Sequence, residues 1–307
     1  MQSIHAISAD MRRIGLGTVQ FGLDYGISNA EGKTSKEAAA FIVREAAAMG
    51  ICTLDTAAEY GDSEAVLGEI LPPAHEYNIV TKTIQFNKAQ TGPDDAKALE
   101  LSFRESLRRL RQNRVYALLV HNADDLLADS GRYLWRSMSG LKGDDRVSKI
   151  GASVYTAAQI DAILERYEID IIQIPLNVFD QRLIGSGHLK KLKARGVEIH
   201  ARSIFLQGLL LMSPDELPAA LAPARERLRE WRTAMEAKNL SPLSAALDFV
   251  LSRSEVNRAV VGICTVDQLM QLASAVESRS TIPSIDWSQF AVDDETILNP
   301  AMWPKET

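Results

Sequence analysis

Two cysteines and five histidines in 307 residues leave little for a disulfide framework or a metal centre. Cys52 and Cys264 each sit inside an apolar run and read as small buried hydrophobes. The histidines are scattered, and no metal-ligand spacing occurs. Excess basic charge is also missing: 34 Lys and Arg stand against 40 Asp and Glu, a net charge of -6 that argues against a nucleic-acid partner. The densest basic stretch, "RESLRRLRQNR" (104–114), has helical spacing with Leu107 and Leu110 on one face, which reads as a solvated helix face. No apolar run approaches the ~18 residues of a membrane span, and no apolar core of a signal peptide opens the chain. The expectation is a cytoplasmic protein with no membrane partner; oligomeric state leaves no mark in the sequence. The length suits two ordinary domains or one α/β barrel, and with no linker or domain-sized repeat residues 1–307 read as one domain.

What is present alternates. Strand-like apolar runs occur at 13–18, 50–56, 77–83, 115–121, 148–154, 169–177, 197–204 and 257–263. Helical patterns at 35–50, 94–110, 156–167, 188–196, 241–252 and 265–276 fall between and after them, the first opening on Ser35 as N-cap and closing on Gly50. Ser241 followed by Pro242 is a second clear start. Apolar runs without polar alternation suit a parallel sheet covered on both faces, and eight such units predict a (β/α)8 barrel. An open doubly wound sheet remains the alternative, since ring closure is not displayed in sequence. Residues 4–13 read as a short N-terminal β-hairpin turning at Ala9-Asp10, and residues 278–307, with Trp287 and Trp303, as a tail wrapped on the barrel.

Barrel chemistry sits at the C-terminal ends of the strands. Those ends carry Asp55, Lys82 and His121 after strands two, three and four, with Tyr60 on the loop that follows Asp55. A lone strand-end histidine is usually structural and a lone Lys–Asp pair usually a salt bridge; four titratable groups at one rim are harder to dismiss. A phenol loses its proton near pH 10, too high for easy exchange at neutral pH. An ammonium beside it favours the phenolate, and a carboxylate holds that ammonium charged and in place. The set therefore reads as Tyr60 general acid/base, Lys82 its tuner, Asp55 the orienter of Lys82, and His121 a donor to a substrate oxygen. It contains no nucleophile and no metal, so the second reactant, read here as hydride, must come from a cofactor.

These stretches, "LDTAAEYG", "IVTKT" and "LLVHNAD", resemble the Asp, Tyr, Lys and His tetrad of the aldo/keto reductase family, in order and over nearly the whole chain. The resemblance implies NAD(P)H-dependent reduction of an aldehyde or ketone, with NADP(H) as cofactor and NAD(H) as the other candidate. It also implies cofactor contacts at Thr18 and Asp55, at Ser153 and Gln173 for the nicotinamide carboxamide, and along "RSIFLQG" (202–208) at Arg202, Ser203, Phe205, Leu206, Gln207 and Gly208. In "GICTVDQLMQL" (262–272), Gly262, Cys264, Gln268 and Gln271 fall at positions for the adenosine end.

The departures are informative. Arg202 stands where many members stack an aromatic ring on the nicotinamide; it stacks on an aromatic ring, pairs with a nearby acid, or binds an anionic or sugar-like carbonyl substrate. Segment 262–272 holds no Lys or Arg, so discrimination for NADPH over NADH is expected to be weak. The spacing of "GLGTVQFG" (15–22) is not G-x-G-x-x-G and reads as a barrel strand with its turn. Two other functions are compatible with the same residues. One is a nicotinamide-binding sensor like the potassium-channel β subunits, which share the fold; the other is a barrel lyase or isomerase without nicotinamide.

Overall fold

A computed structural model describes residues 8–29 and 31–303. Eight parallel strands close into a barrel in sequence order: β1 (Ile14–Gly17), β2 (Thr53–Asp55), β3 (Asn78–Lys82), β4 (Val115–Val120), β5 (Val147–Ser153), β6 (Ile171–Pro175), β7 (Glu198–Arg202) and β8 (Arg258–Gly262). Each apolar run supplies one strand. Pairing of β1 with both β2 and β8 closes the ring and removes the open-sheet alternative. All five residues of β6 are buried, because one face meets the barrel interior and the other the helical layer.

The recognised helices form where their caps sit. Ser35 Oγ accepts from Ala38 N at the start of Lys36–Ala48, which buries Ala39, Ile42, Val43 and Ala46 along one stripe. Thr156 and Gln159 make a reciprocal capping box, and Ser241 and Thr265 cap Pro242–Leu251 and Val266–Glu277. Helices Arg132–Gly143 and Arg225–Glu236 were not picked out from sequence, and neither has a side-chain N-cap: the first buries Leu134 and Met138, the second Leu228, Trp231 and Met235.

The N-terminal expectation needs correction. Residues 1–7 lie outside the described residues; Ala9-Asp10 do turn, but Met11–Arg13 form a 3-10 turn rather than a strand. The tail behaves as expected. Trp287 packs against Trp231 and Phe249, Phe290 packs edge-on to Trp231, and Val292 N donates to Phe179 O at 2.9 Å.

At the end where the strands begin, Glu198 accepts from Tyr116 Oη (2.6 Å) and lies against Lys149 Nζ and His200 Nε2 (2.7 Å). This polar plug lies at the opposite end of the barrel from Asp55 and Lys82, which close β2 and β3. No helix among the described residues is long and apolar enough to cross a membrane.

Candidate active site

Asp55 ends β2 and Lys82 ends β3, and both are almost wholly buried. Lys82 Nζ donates to Asp55 Oδ1 at 2.6 Å and to Thr56 O at 2.9 Å, and lies 4.9 Å from the centre of the Tyr60 ring. Burial opposes the ammonium, but the Asp55 carboxylate and Tyr60 phenol outweigh it, so the lysine is held above its ordinary pKa. The second Asp55 oxygen accepts from Gln173 Nε2 at 2.7 Å. Gln173 therefore has its amide nitrogen engaged, with its carbonyl the end left for a carboxamide. Register sets Ser153 directly beside it, and the Ser153 hydroxyl makes no bond to the described protein.

The Tyr60 loop is clamped by two glycines. A Cβ at Gly22 would stand 1.8 Å from Tyr60 O, and one at Gly61 (φ +55) would stand 2.3 Å from Gly22 O. These backbones touch only because neither residue has a side chain. Neither Asp62, at the N-cap position, nor Ser63 caps the following helix, Ser63–Ile70, with its side chain. Asp62 pairs with Lys33, while Ser63 Oγ donates to Thr18 O (2.8 Å) and meets the Thr18 and Thr56 hydroxyls. Behind it Glu64, fully buried, accepts from Thr81 Oγ1 (2.6 Å) and from Arg109 Nη2 (2.7 Å), tying the loop to β3 and the helix Pro93–Leu110. Glu64 thus anchors the loop beyond its place in the helix's first turn.

His121 follows β4 and meets the Tyr60 ring edge-on, with centroids 5.7 Å apart. Burial, and then the Lys82 charge, push its pKa down to about 4, so the ring is neutral at physiological pH. Its Nδ1 lies 3.4 Å from Glu59 Oε2 but out of line for a hydrogen bond.

These groups open into a cavity of about 560 Å³, within the range of ligand sites. The cavity gathers Asp55, Tyr60, Lys82 and His121 with Thr18, Ser153, Gln173, Arg202, Ser203, Phe205, Gln207, Gly208, Gly262, Cys264, Gln268 and Gln271. Leu206 is the exception: it is fully buried in the hydrophobic core, and Ile204 lines the cavity instead. Gln20, Tyr25, Ser28, Asn29 and Tyr155 also line the cavity and were not singled out from sequence. Their only signal was position on the loops after β1 and β5. Tyr25 hydrogen-bonds Gln207 Nε2 through its hydroxyl at 3.0 Å, and burial of that end raises its pKa to about 12. A Cβ on Gly208 (φ +97) would fall 1.8 Å from Ser28 Oγ. The loops after β1 and β7 therefore meet over the cavity.

Arg202 makes no ion pair among the described residues. Its guanidinium lies over the Tyr155 ring at 4.2 Å and donates to Ser203 Oγ and Val154 O, both at 3.2 Å. The acid-paired alternative is thereby removed.

A parallel (β/α)8 barrel with a buried lysine–carboxylate pair under a tyrosine and a histidine at its C-terminal rim defines a barrel enzyme. The chain belongs to the aldo/keto reductase family, whose profile matches residues 13–290, and so stands among the oxidoreductases. It is 26% identical over 298 residues to L-galactose dehydrogenase of Arabidopsis thaliana, covering 89% of each chain. It is 25% identical over 287 residues to the uncharacterized oxidoreductase YqkF of Bacillus subtilis (strain 168), covering 88% of this chain and 89% of the other. The holo form of aldo-keto reductase AKR11C1 from Bacillus halodurans superposes with a TM-score of 0.71 at 20% identity, over 92% and 93% of the two chains.

Proposed function

We propose that the protein reduces an aldehyde or ketone with hydride from a nicotinamide dinucleotide, and that Tyr60 protonates the substrate oxygen. The observation that carries this reading is the buried Lys82–Asp55 pair at 2.6 Å, set 4.9 Å from the Tyr60 ring centre and capped by His121.

The residues present suit a dinucleotide. Gln20 Oε1 is buried beside Gly262 without a partner, and the Ser153 hydroxyl and Gln173 carbonyl stand together for an amide. When bound, the nicotinamide supplies hydride to the carbonyl carbon. The protein does the rest. Tyr60 gives its proton to the oxygen as negative charge develops there, and Lys82 stabilises the phenolate left behind. Asp55, fixed by Gln173, keeps Lys82 charged in a site where an unpaired ammonium would be costly to bury. His121, neutral down to about pH 4, has one N–H to offer the same oxygen. The cationic, unpaired Arg202 and the two tyrosines, Tyr25 and Tyr155, favour a polar substrate with an anionic or sugar-like body.

Tyr60→Phe is the test. It removes the acid and keeps the ring, so carbonyl-dependent oxidation of the reduced nicotinamide should fall at least about 10²-fold, the usual scale for losing a general acid, with cofactor binding retained. Undiminished turnover in the variant would refute the assignment.

A further inference from the structure

Glu59 stands directly before Tyr60, so one loop delivers a carboxylate and the proposed acid together. Its oxygens are clamped from the loop after β3: Oε1 accepts from Gln85 N at 3.1 Å and Oε2 from Gln85 Nε2 at 2.9 Å. Both oxygens accept, the pattern of an ionised carboxylate. Oε2 also lies 3.4 Å from His121 Nδ1, a nitrogen that is buried and has no hydrogen-bond partner. His121 lines the cavity, so with Nδ1 buried Nε2 is the nitrogen left for a ligand. The ring is anchored from behind, where His121 N donates to Thr83 Oγ1 at 3.2 Å.

A neutral imidazole has one N–H, and here that N–H has two claimants. Placed on Nε2 it serves a substrate oxygen, but the bare Nδ1 then faces a carboxylate oxygen, acceptor against acceptor. Placed on Nδ1 it serves Glu59, and the cavity meets a lone pair. A second proton satisfies both. In the protein alone, burial and the Lys82 charge disfavour that proton, and Arg202 adds to them, while Glu59 and Asp55 favour it. Tyr60 contributes an uncharged ring edge, and Asp125, after β4, is a further carboxylate within the field of Glu59.

We infer that Glu59 is a positioning residue for carbonyl reduction: it lets His121 meet the charged substrate oxygen with both nitrogens protonated, Nε2–H on that oxygen and Nδ1–H on Glu59. The inference rests on the reductase reading above. As hydride adds to the carbonyl carbon, negative charge gathers on the oxygen, and an opposite charge at Nε2 favours the charged ring. The second proton comes from solvent to Nδ1 beside Glu59, whose side chain is 36% exposed, and returns there when the neutral alcohol leaves. The proton that joins the substrate oxygen remains that of Tyr60. A small turn of the ring brings Nδ1–H into line with Oε2.

Nitrogen NMR of the full chain with isotope-labelled histidine reads which ring nitrogen is protonated. At neutral pH the His121 proton should reside on Nδ1. In Glu59→Gln, whose amide can donate to a bare Nδ1, it should move to Nε2. Kinetics tests the role. With 4-nitrobenzaldehyde, an uncharged probe, and NADH or NADPH, kcat/KM of the unaltered protein should fall as pH rises and the second proton becomes harder to recruit, by up to about tenfold per pH unit. In Glu59→Gln no second proton is needed, so the fall should begin about one pH unit or more later. Superposable pH profiles, or a proton on the same nitrogen in both proteins, overturn the inference and leave the reductase reading intact. No reduction of the probe with either nucleotide overturns the reductase reading, and the inference with it.

Discussion

Arg202 shows how one side chain narrows the chemistry of a site. It ends β7 opposite Pro175, at the rim where β6 and β7 deliver their last residues. A guanidinium there without a carboxylate is stable because Tyr155 covers one of its faces, while Ser203 Oγ and Val154 O take two of its donors. The remaining N–H groups are available to a ligand, in a fork that matches a carboxylate or phosphate. Arg202→Ala should therefore raise KM for anionic aldehydes about tenfold or more, since one charge-assisted contact is worth about 1.5–3 kcal/mol. KM for neutral aldehydes of similar size should move little. Steady-state kinetics on matched anionic and neutral substrates separates the outcomes, and an equal change for both would remove the anion role. The sequence could name Arg202 as a departure but not decide its partner. That decision belongs to residues 48 positions back in the chain, Val154 and its neighbour Tyr155.

At the level of elements, the strands were legible because burial on both faces demands unbroken apolar runs, and the capped helices because Ser35, Thr156, Ser241 and Thr265 sit one residue ahead of an apolar stripe. The four rim residues were legible because strand ends are fixed points of a barrel. The clamp that sets Tyr60 was not. Gly22 read as the close of a strand and turn, yet it terminates a short helix, Val19–Gly22, whose end lies flat against the Tyr60 carbonyl. That contact joins loops after β1 and β2 and has no local signature. Leu206 failed for a related reason: in "RSIFLQG" the backbone reverses through positive φ at Ser203, Leu206 and Gln207, turning Leu206 into the core while its neighbours face the cavity. Gly22→Ala tests the clamp. A methyl placed 1.8 Å from Tyr60 O must push the loop aside, at a cost of about 1–3 kcal/mol. Displacement of the phenol should lower kcat by more than it raises KM, about tenfold or more if the shift nears 1 Å. Wild-type kcat in a destabilised variant would show that Tyr60 is positioned independently of this contact.

Across the whole molecule the barrel divides labour between its ends, and the end without the candidate site can be tested by pH. Glu198 opens β7 beneath His200, with Tyr116 and Lys149 reaching it from β4 and β5. Burial alone would raise its pKa, but hydrogen bonds from His200, Lys149 and Tyr116 prevail and hold it far below the usual carboxylate range. A folded-state pKa below the unfolded value of about 4.3 means the folded protein binds the proton less readily than the unfolded chain. The stabilisation is therefore complete above about pH 4.3 and is lost as the pH falls toward the folded-state value. Glu198→Gln leaves Lys149 and His200 without their carboxylate, which in a fully buried pair costs about 3–5 kcal/mol. Lys149 is a third exposed, so solvent relieves part of that, and about 2 kcal/mol is expected at pH 7. Thermal unfolding should show Tm lowered by several degrees at neutral pH. The gap should shrink as both proteins are acidified below about pH 4, where unfolding of the unaltered protein takes up a proton that its native carboxylate still refuses. Because the network lies at the starts of the strands, kcat per folded molecule should match that of the unaltered protein. A Tm gap that stays constant into acid would assign the loss to packing rather than to the charge of Glu198.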